Sequence, residues 1–132
     1  MISIERIKEL YVVAIEMYGG IKTLTDDQIE KAKGKIAQAE AGAYYSGMQG
    51  DHLHVAAFAL KYFAQDQVFT DGNKRVAWMV AVDILQLIDI GVNATPEEAA
   101  DFVLRVANEK LSYEDILAWL AFPGRLFDIE SS

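Results

Sequence analysis

The chain has 132 residues, 52% of them apolar, with 12 Lys and Arg against 20 Asp and Glu and a net charge of −8. This length and composition fit a single domain, 1–132, able to bury a core of its own, and exclude intrinsic disorder. So acidic a surface repels a phosphate backbone, which makes nucleic acid an unexpected partner, and the lack of cysteine excludes disulfides and thiolate metal sites.

Apolar residues recur at three- and four-residue spacing and proline occurs only at Pro96 and Pro123. The predicted fold class is therefore all-α, a compact bundle of about six helices. The start, Met1-Ile2-Ser3-Ile4-Glu5, lacks the basic stretch and apolar run of a secretory leader, so a cytoplasmic location is expected. Ile4, Ile7, Leu10, Tyr11 and Ala14 form a helical stripe behind Ser3 as N-cap, ended by Gly19-Gly20. Thr25-Asp26-Asp27-Gln28 is a capping box for a second helix, with acids in the first turn where the dipole favours them. Gly42 to Gly50 holds three glycines and is expected to be a loop. A third helix runs from about Asp51 to Asp66, carrying Val55, Phe58, Ala59, Tyr62 and Phe63 inward, and breaks over Gln67 to Gly72.

The fourth helix, Asn73 to about Ile88, is apolar on nearly all sides after its first turn, as expected of a helix buried at the centre of a bundle. Its uncharged run from Val76 is interrupted by Asp83 and is shorter than the roughly 20 apolar residues of a bilayer span, so no membrane is expected. Gly91 ends it. Thr95-Pro96-Glu97-Glu98 opens a fifth helix with an N-cap, a proline at the first position and a capping-box Glu, and Ser112-Tyr113-Glu114-Asp115 opens a sixth that stops before Pro123. The stretch from Gly124 is expected to be a loosely held tail behind a core of about residues 3–121.

Chemistry concentrates in Gln67-Val68-Phe69-Thr70-Asp71-Gly72-Asn73-Lys74-Arg75, which feeds polar and charged residues into the most buried helix. The amides of Gly72, Asn73, Lys74 and Arg75 lack intrahelical acceptors and lie at the positive end of the dipole, a natural anion site. Gly72 lets a ligand come close, Lys74 and Arg75 bring positive charge to phosphate oxygens, and Asp71 offers an oxygen ligand suited to magnesium. Phe69 turns inward as the anchor. On this reading the helix start is a nucleotide phosphate site. An Asp-Gly turn followed by a helix cap with two surface cations is the plainer alternative. Against it, cations at a helix N-terminus oppose the dipole, so Lys74 and Arg75 call for a compensating anion.

Phe69-x-Asp71-Gly72-Asn73-Lys74-Arg75 resembles the Fic/Doc signature, His-x-Phe-x-(Asp/Asn)-(Gly/Ala)-Asn-(Gly/Lys)-Arg, in its death-on-curing (Doc) branch, where Lys replaces the second glycine. Tyr18-Gly19-Gly20, Gly91-Val92 and Leu111-Ser112-x-Glu114-x-Ile116-x-x-Trp119-Leu120 are similar to that branch in order and spacing, so the resemblance covers roughly residues 3–121. It implies a compact helical Fic fold and an ATP- and Mg2+-dependent transfer to a protein hydroxyl. It further implies a toxin of a toxin–antitoxin pair that phosphorylates elongation factor Tu and is held in check by a separate antitoxin. Carried over by position, Asp71 would serve magnesium, Gly72, Asn73 and Lys74 the phosphates, and Lys74 and Arg75 the transferring charge. The second arginine of AMP-transferring members falls on Trp78, which favours phosphate transfer over AMP transfer.

One departure alters the expected chemistry: the family's histidine, the general base, falls on Gln67. An amide does not take up a proton near neutral pH, and loss of a general base typically costs a factor of about 10² to 10⁴. The chain is thus read as a weakened or inactive Doc-like phosphotransferase, with a degenerate Fic module that binds nucleotide or partner without catalysis as the rival, and AMP transfer as a third reading. His52 and His54 precede Gln67 by 15 and 13 positions, about 20 Å along a helix at 1.5 Å per residue, and are not expected to replace the base. Asp66 is adjacent in sequence but diverges in direction and is expected to be a solvated helix-end residue. Tyr18 to Thr25 is either a flap that aligns a target chain or a plain helix connection; Trp78 and Trp119 are expected in the core. No inhibitory helix is evident, and Tyr44, Tyr45, Met48 and the stretch from Phe122 to Phe127 offer apolar surface for an antitoxin.

Overall fold

The computed structural model describes residues 1–130. Among the described residues six helices are joined to a small sheet: α1 Ile4–Tyr18, α2 Asp26–Tyr45, α3 His52–Gln65, α4 Asn73–Gln86, β1 Ile90–Val92, α5 Pro96–Asn108, α6 Tyr113–Leu120 and β2 Leu126–Asp128. Short side-chain oxygens start most of the helices. Ser3, Asp51, Thr95 and Ser112 each accept the backbone N–H three residues on, and Thr25 and Gln28 form the full capping box at 3.1 and 3.0 Å. Each such cap is worth about 1 kcal/mol.

The centre is shared by two helices. α4 buries Val76, Ala77, Val80, Ala81, Ile84 and Leu85. α3 buries still more, from Val55 through Leu60 together with Phe63 and Ala64, and packs against α2, α4, α5 and α6. Full burial of side chains such as Phe63, Leu60 and Ile84 stabilises the bundle by roughly 1.5–3 kcal/mol each. Among the described residues no helix is long and apolar enough to cross a membrane.

Three boundaries differ from those expected of the sequence. α2 continues through Gly42 to Tyr45, so only the end of the glycine-rich stretch is a loop. Gly42 is a packing residue: a Cβ there would come within 3.0 Å of the Phe58 ring, and its absence lets α2 lie close on α3. α4 ends at Gln86, two residues early, where Leu87 and Ile88 turn out to solvent and Asp89 takes a left-handed φ of 57°. The stretch from Gly124 is not a loose tail. Leu126–Asp128 pairs antiparallel with Ile90–Val92, and Ile129 N–H bonds Asp89 O at 2.9 Å.

Two side chains secure that tail. Phe127 lies over Gly91, where a Cβ would overlap its ring. The Arg125 guanidinium sits 3.8 Å above the Trp119 ring, and Trp119 in turn stacks on Phe102 at 3.9 Å and meets Trp78 edge-on. Both tryptophans are half-buried and pack against the core rather than within it, so the expectation that they lie in the core is met only in part.

Candidate functional site

α3 stops at Asp66, whose N–H still bonds Tyr62 O, and the chain reverses at Gln67 with φ 45°. A positive φ at a residue other than glycine is uncommon, and here it lets the next two residues dive inward. Val68 and Phe69 are buried, with Phe69 lying 4.8 Å from the Tyr11 ring and 6.3 Å from that of Phe63. The loop then closes on itself. Asn73 Oδ1 accepts the Phe69 N–H and Asn73 Nδ2 donates to Phe69 O, both at 2.8 Å.

That clasp leaves Gly72 as the first residue outside the helix, in the left-handed conformation (φ 79°, ψ 8°), and no side chain caps this end of α4. A Cβ at Gly72 would touch Ile15 Cδ1 at 3.5 Å, but it is the positive φ that chiefly requires glycine. The opening amides of α4 have no acceptor within the helix and point out of its positive end. Asp71 and Lys74 are exposed beside them and Arg75 is half-buried, its Nη1 3.6 Å from Met17 Sδ.

Two other elements frame the loop. From α2, Gln28 Nε2 donates to Thr70 Oγ1 at 3.3 Å, Lys31 Nζ to Gln67 O at 3.5 Å, and Lys35 Nζ pairs with Asp66 Oδ2 at 2.9 Å. From α1, the buried Tyr11 hydroxyl donates to Ile21 O at 2.7 Å and holds the Gly19–Thr25 connection beside the loop. Gly20 there lies so close that a Cβ would be 3.7 Å from Asp71 Oδ2. Burial, with the charge of Asp71 adding to it, pushes the Tyr11 hydroxyl above the ordinary phenol range, so it remains a donor.

The nine-residue stretch singled out by sequence is thus one compact feature, with Phe69 inside and Asp71, Gly72, Lys74 and Arg75 gathered at the mouth of α4. Asn73 commits Oδ1 and one of its two side-chain N–H groups to the Phe69 backbone, which leaves its backbone N–H and the second amide N–H to offer an anion. Asp66 is ion-paired rather than merely solvated. His52 and His54 lie at the other end of α3, where His52 Nδ1 is 3.2 Å from Gly50 O and His54 Nδ1 3.0 Å from Asp51 Oδ1. Sequence reading missed Tyr11, Gln28, Lys31 and Lys35. The last three recur at helical spacing on one face of α2, a stripe that was visible but had no stated partner.

A model of the Fic/DOC family matches residues 1–85, from the start of the chain to the penultimate residue of α4, and includes the whole loop. The chain belongs to the Fic/DOC family. No curated protein matches it. Membership makes a nucleotide-dependent Fic-type transferase the coarse reading of this Fic/DOC chain, and the match leaves α5, α6 and the sheet outside it. Among the described residues no three His, Cys, Asp or Glu side chains cluster as a metal cage. A single carboxylate still fits magnesium, which usually takes one or two carboxylates and completes its shell with substrate phosphates and water. Asp71, exposed beside open amides, has that setting.

Proposed function

We propose that the chain is a Doc-branch toxin of a toxin–antitoxin pair, an ATP-dependent protein phosphotransferase by descent whose transfer step is weakened at Gln67. The observation that carries the reading is the start of α4: left-handed, uncapped by any side chain, and flanked by Lys74 and Arg75, two cations that this end of a helix disfavours unless an anion joins them. In this reading the N–H groups of Gly72, Asn73 and Lys74 cradle the ATP phosphates. Lys74 and Arg75 neutralise the charge that grows on the transferring group, and Asp71 is the residue that would hold Mg2+. Magnesium held there would offset the charge of the ATP phosphates. Gln67 is exposed at the turn into the loop, positioned to hydrogen-bond a target hydroxyl but without the proton affinity of a base.

The target we assign is elongation factor Tu, in the cytoplasm, with control in trans by an antitoxin. Exposed apolar side chains support such a partner: Tyr44, Tyr45 and Met48 at the end of α2 and beyond, and Phe122 and Phe127 around the tail. Gln67 is also the specific feature favouring the second reading, a Fic module that binds nucleotide or partner without transfer.

Intact-mass spectrometry of elongation factor Tu, after incubation with ATP, magnesium and either this protein or its Gln67→His form, tests the assignment. A phosphate added mainly by the Gln67→His protein is the expected result. An added AMP would replace phosphate transfer with AMP transfer, and no adduct from either protein would leave the binding module.

A further inference from the structure

Met17 sits in the last turn of α1 and is 60% exposed, against 47% for Met1 and 37% for Met48, while Met79 is packed against the core. Its sulfur is also the one that touches the candidate site, 3.6 Å from Arg75 Nη1. A thioether is a weak acceptor, so this contact holds the guanidinium lightly. One added oxygen changes that. Methionine sulfoxide is polar and a far better acceptor, and the side chain that carries it is flexible enough to present it to a neighbour. The donors of a guanidinium are fixed in one planar fork, so a donor turned to a sulfoxide is turned away from a phosphate.

We propose that Met17 is a redox modification site acting on Arg75: oxidation by a peroxide draws the guanidinium toward Met17 and weakens anion binding at the start of α4, and reduction restores it. The inference rests on reading Gly72 to Arg75 as a phosphate site. In the oxidation the sulfur lone pair attacks one peroxide oxygen, an S–O bond forms and the O–O bond breaks. Sulfur loses two electrons to the peroxide, and the departing hydroxide takes the proton of the transferred hydroxyl and leaves as water. In the reverse step a dithiol reductase is oxidised to its disulfide and the oxygen departs as water.

The test treats the whole protein with hydrogen peroxide to one added oxygen, locates that oxygen by peptide mass, and measures binding of ATP with magnesium by calorimetry. We expect Met17 to be modified first and the affinity to fall about three- to tenfold, the effect of about one net hydrogen bond. Methionine sulfoxide reductase restores it, Met17→Leu binds as the reduced protein does and resists peroxide, and Met17→Gln, with a neutral carbonyl acceptor, binds weakly without oxidant. Equal weakening of the wild type and Met17→Leu, or no weakening of a wild type that binds ATP when reduced, overturns the proposal. The Arg75 Nε–Hε signal in nitrogen-15 spectra, recorded without nucleotide, separates the two readings. If the reduced protein binds no ATP, the phosphate site is lost, and an Arg75 signal that ignores oxidation of Met17 rejects the coupling on its own.

Discussion

Lys74 is placed where its charge opposes the helix that carries it, and stability and binding should therefore respond to its removal with opposite signs. Lys74→Ala relieves the conflict with the α4 dipole, a gain of about 0.3–1 kcal/mol, and introduces a better helix former. The same change removes a charged donor from the proposed anion site, which should weaken ATP binding about tenfold or more. Urea midpoints and calorimetric affinities of the two proteins check both halves. A variant that loses stability and affinity together would show that Lys74 supports the fold instead. Asn73 shows what residue type alone leaves open. Its amide suits a phosphate as well as a backbone, and the two 2.8 Å bonds to Phe69 add a loop-closing role that its type does not announce.

At the scale of elements, the start of α3 carries a charge whose effect on stability has a definite sign. Burial raises the Asp51 carboxyl, but the His54 ring nitrogen 3.0 Å away and the His54 backbone N–H outweigh it and hold the group below the usual aspartate range. A depressed folded value means that the unfolded chain takes up protons first. The contribution is therefore complete above the unfolded value of about 3.9 and is lost as pH falls below it, through the folded value. Asp51→Asn keeps a good N-cap without the titration. Urea midpoints from pH 5 downward should fall more steeply for the wild type than for this variant, and parallel curves would remove Asp51 from the account. Helix starts like this one are legible in sequence because cap and partner stand three residues apart. The end of α2 and the pairing of β2 were not, since they depend on Phe58 reaching Gly42 and Phe127 reaching Gly91 from distant parts of the chain.

Across the whole molecule, the loop and the sheet stand at opposite ends of α4, whose 14 residues span about 21 Å. Arg125, stacked on Trp119 and bonded to Asn93 O and Glu98, serves the sheet end. Arg125→Ala should cost about 1–3 kcal/mol through the lost cation–π contact and hydrogen bonds, measured by urea unfolding. It should also quicken amide exchange over Leu126–Asp128 while leaving ATP affinity unchanged; a parallel loss of affinity would mean that the two ends are coupled. The same distance explains what could be read of the candidate site. Its central stretch, Gln67 to Arg75, is contiguous and stood out at once, whereas Tyr11, Gln28, Lys31 and Lys35 come from other helices and gain meaning only when folding brings them round the loop.

The clasp of Asn73 on Phe69 also governs how a bound anion would be felt. Since one residue both opens α4 and closes the loop, a ligand seated on the helix start would pull on the backbone of Phe69, whose ring packs beside Phe63 and Tyr11. Occupancy there would then be expected to stiffen the interior around an unchanged backbone, read as slower amide exchange at Phe69.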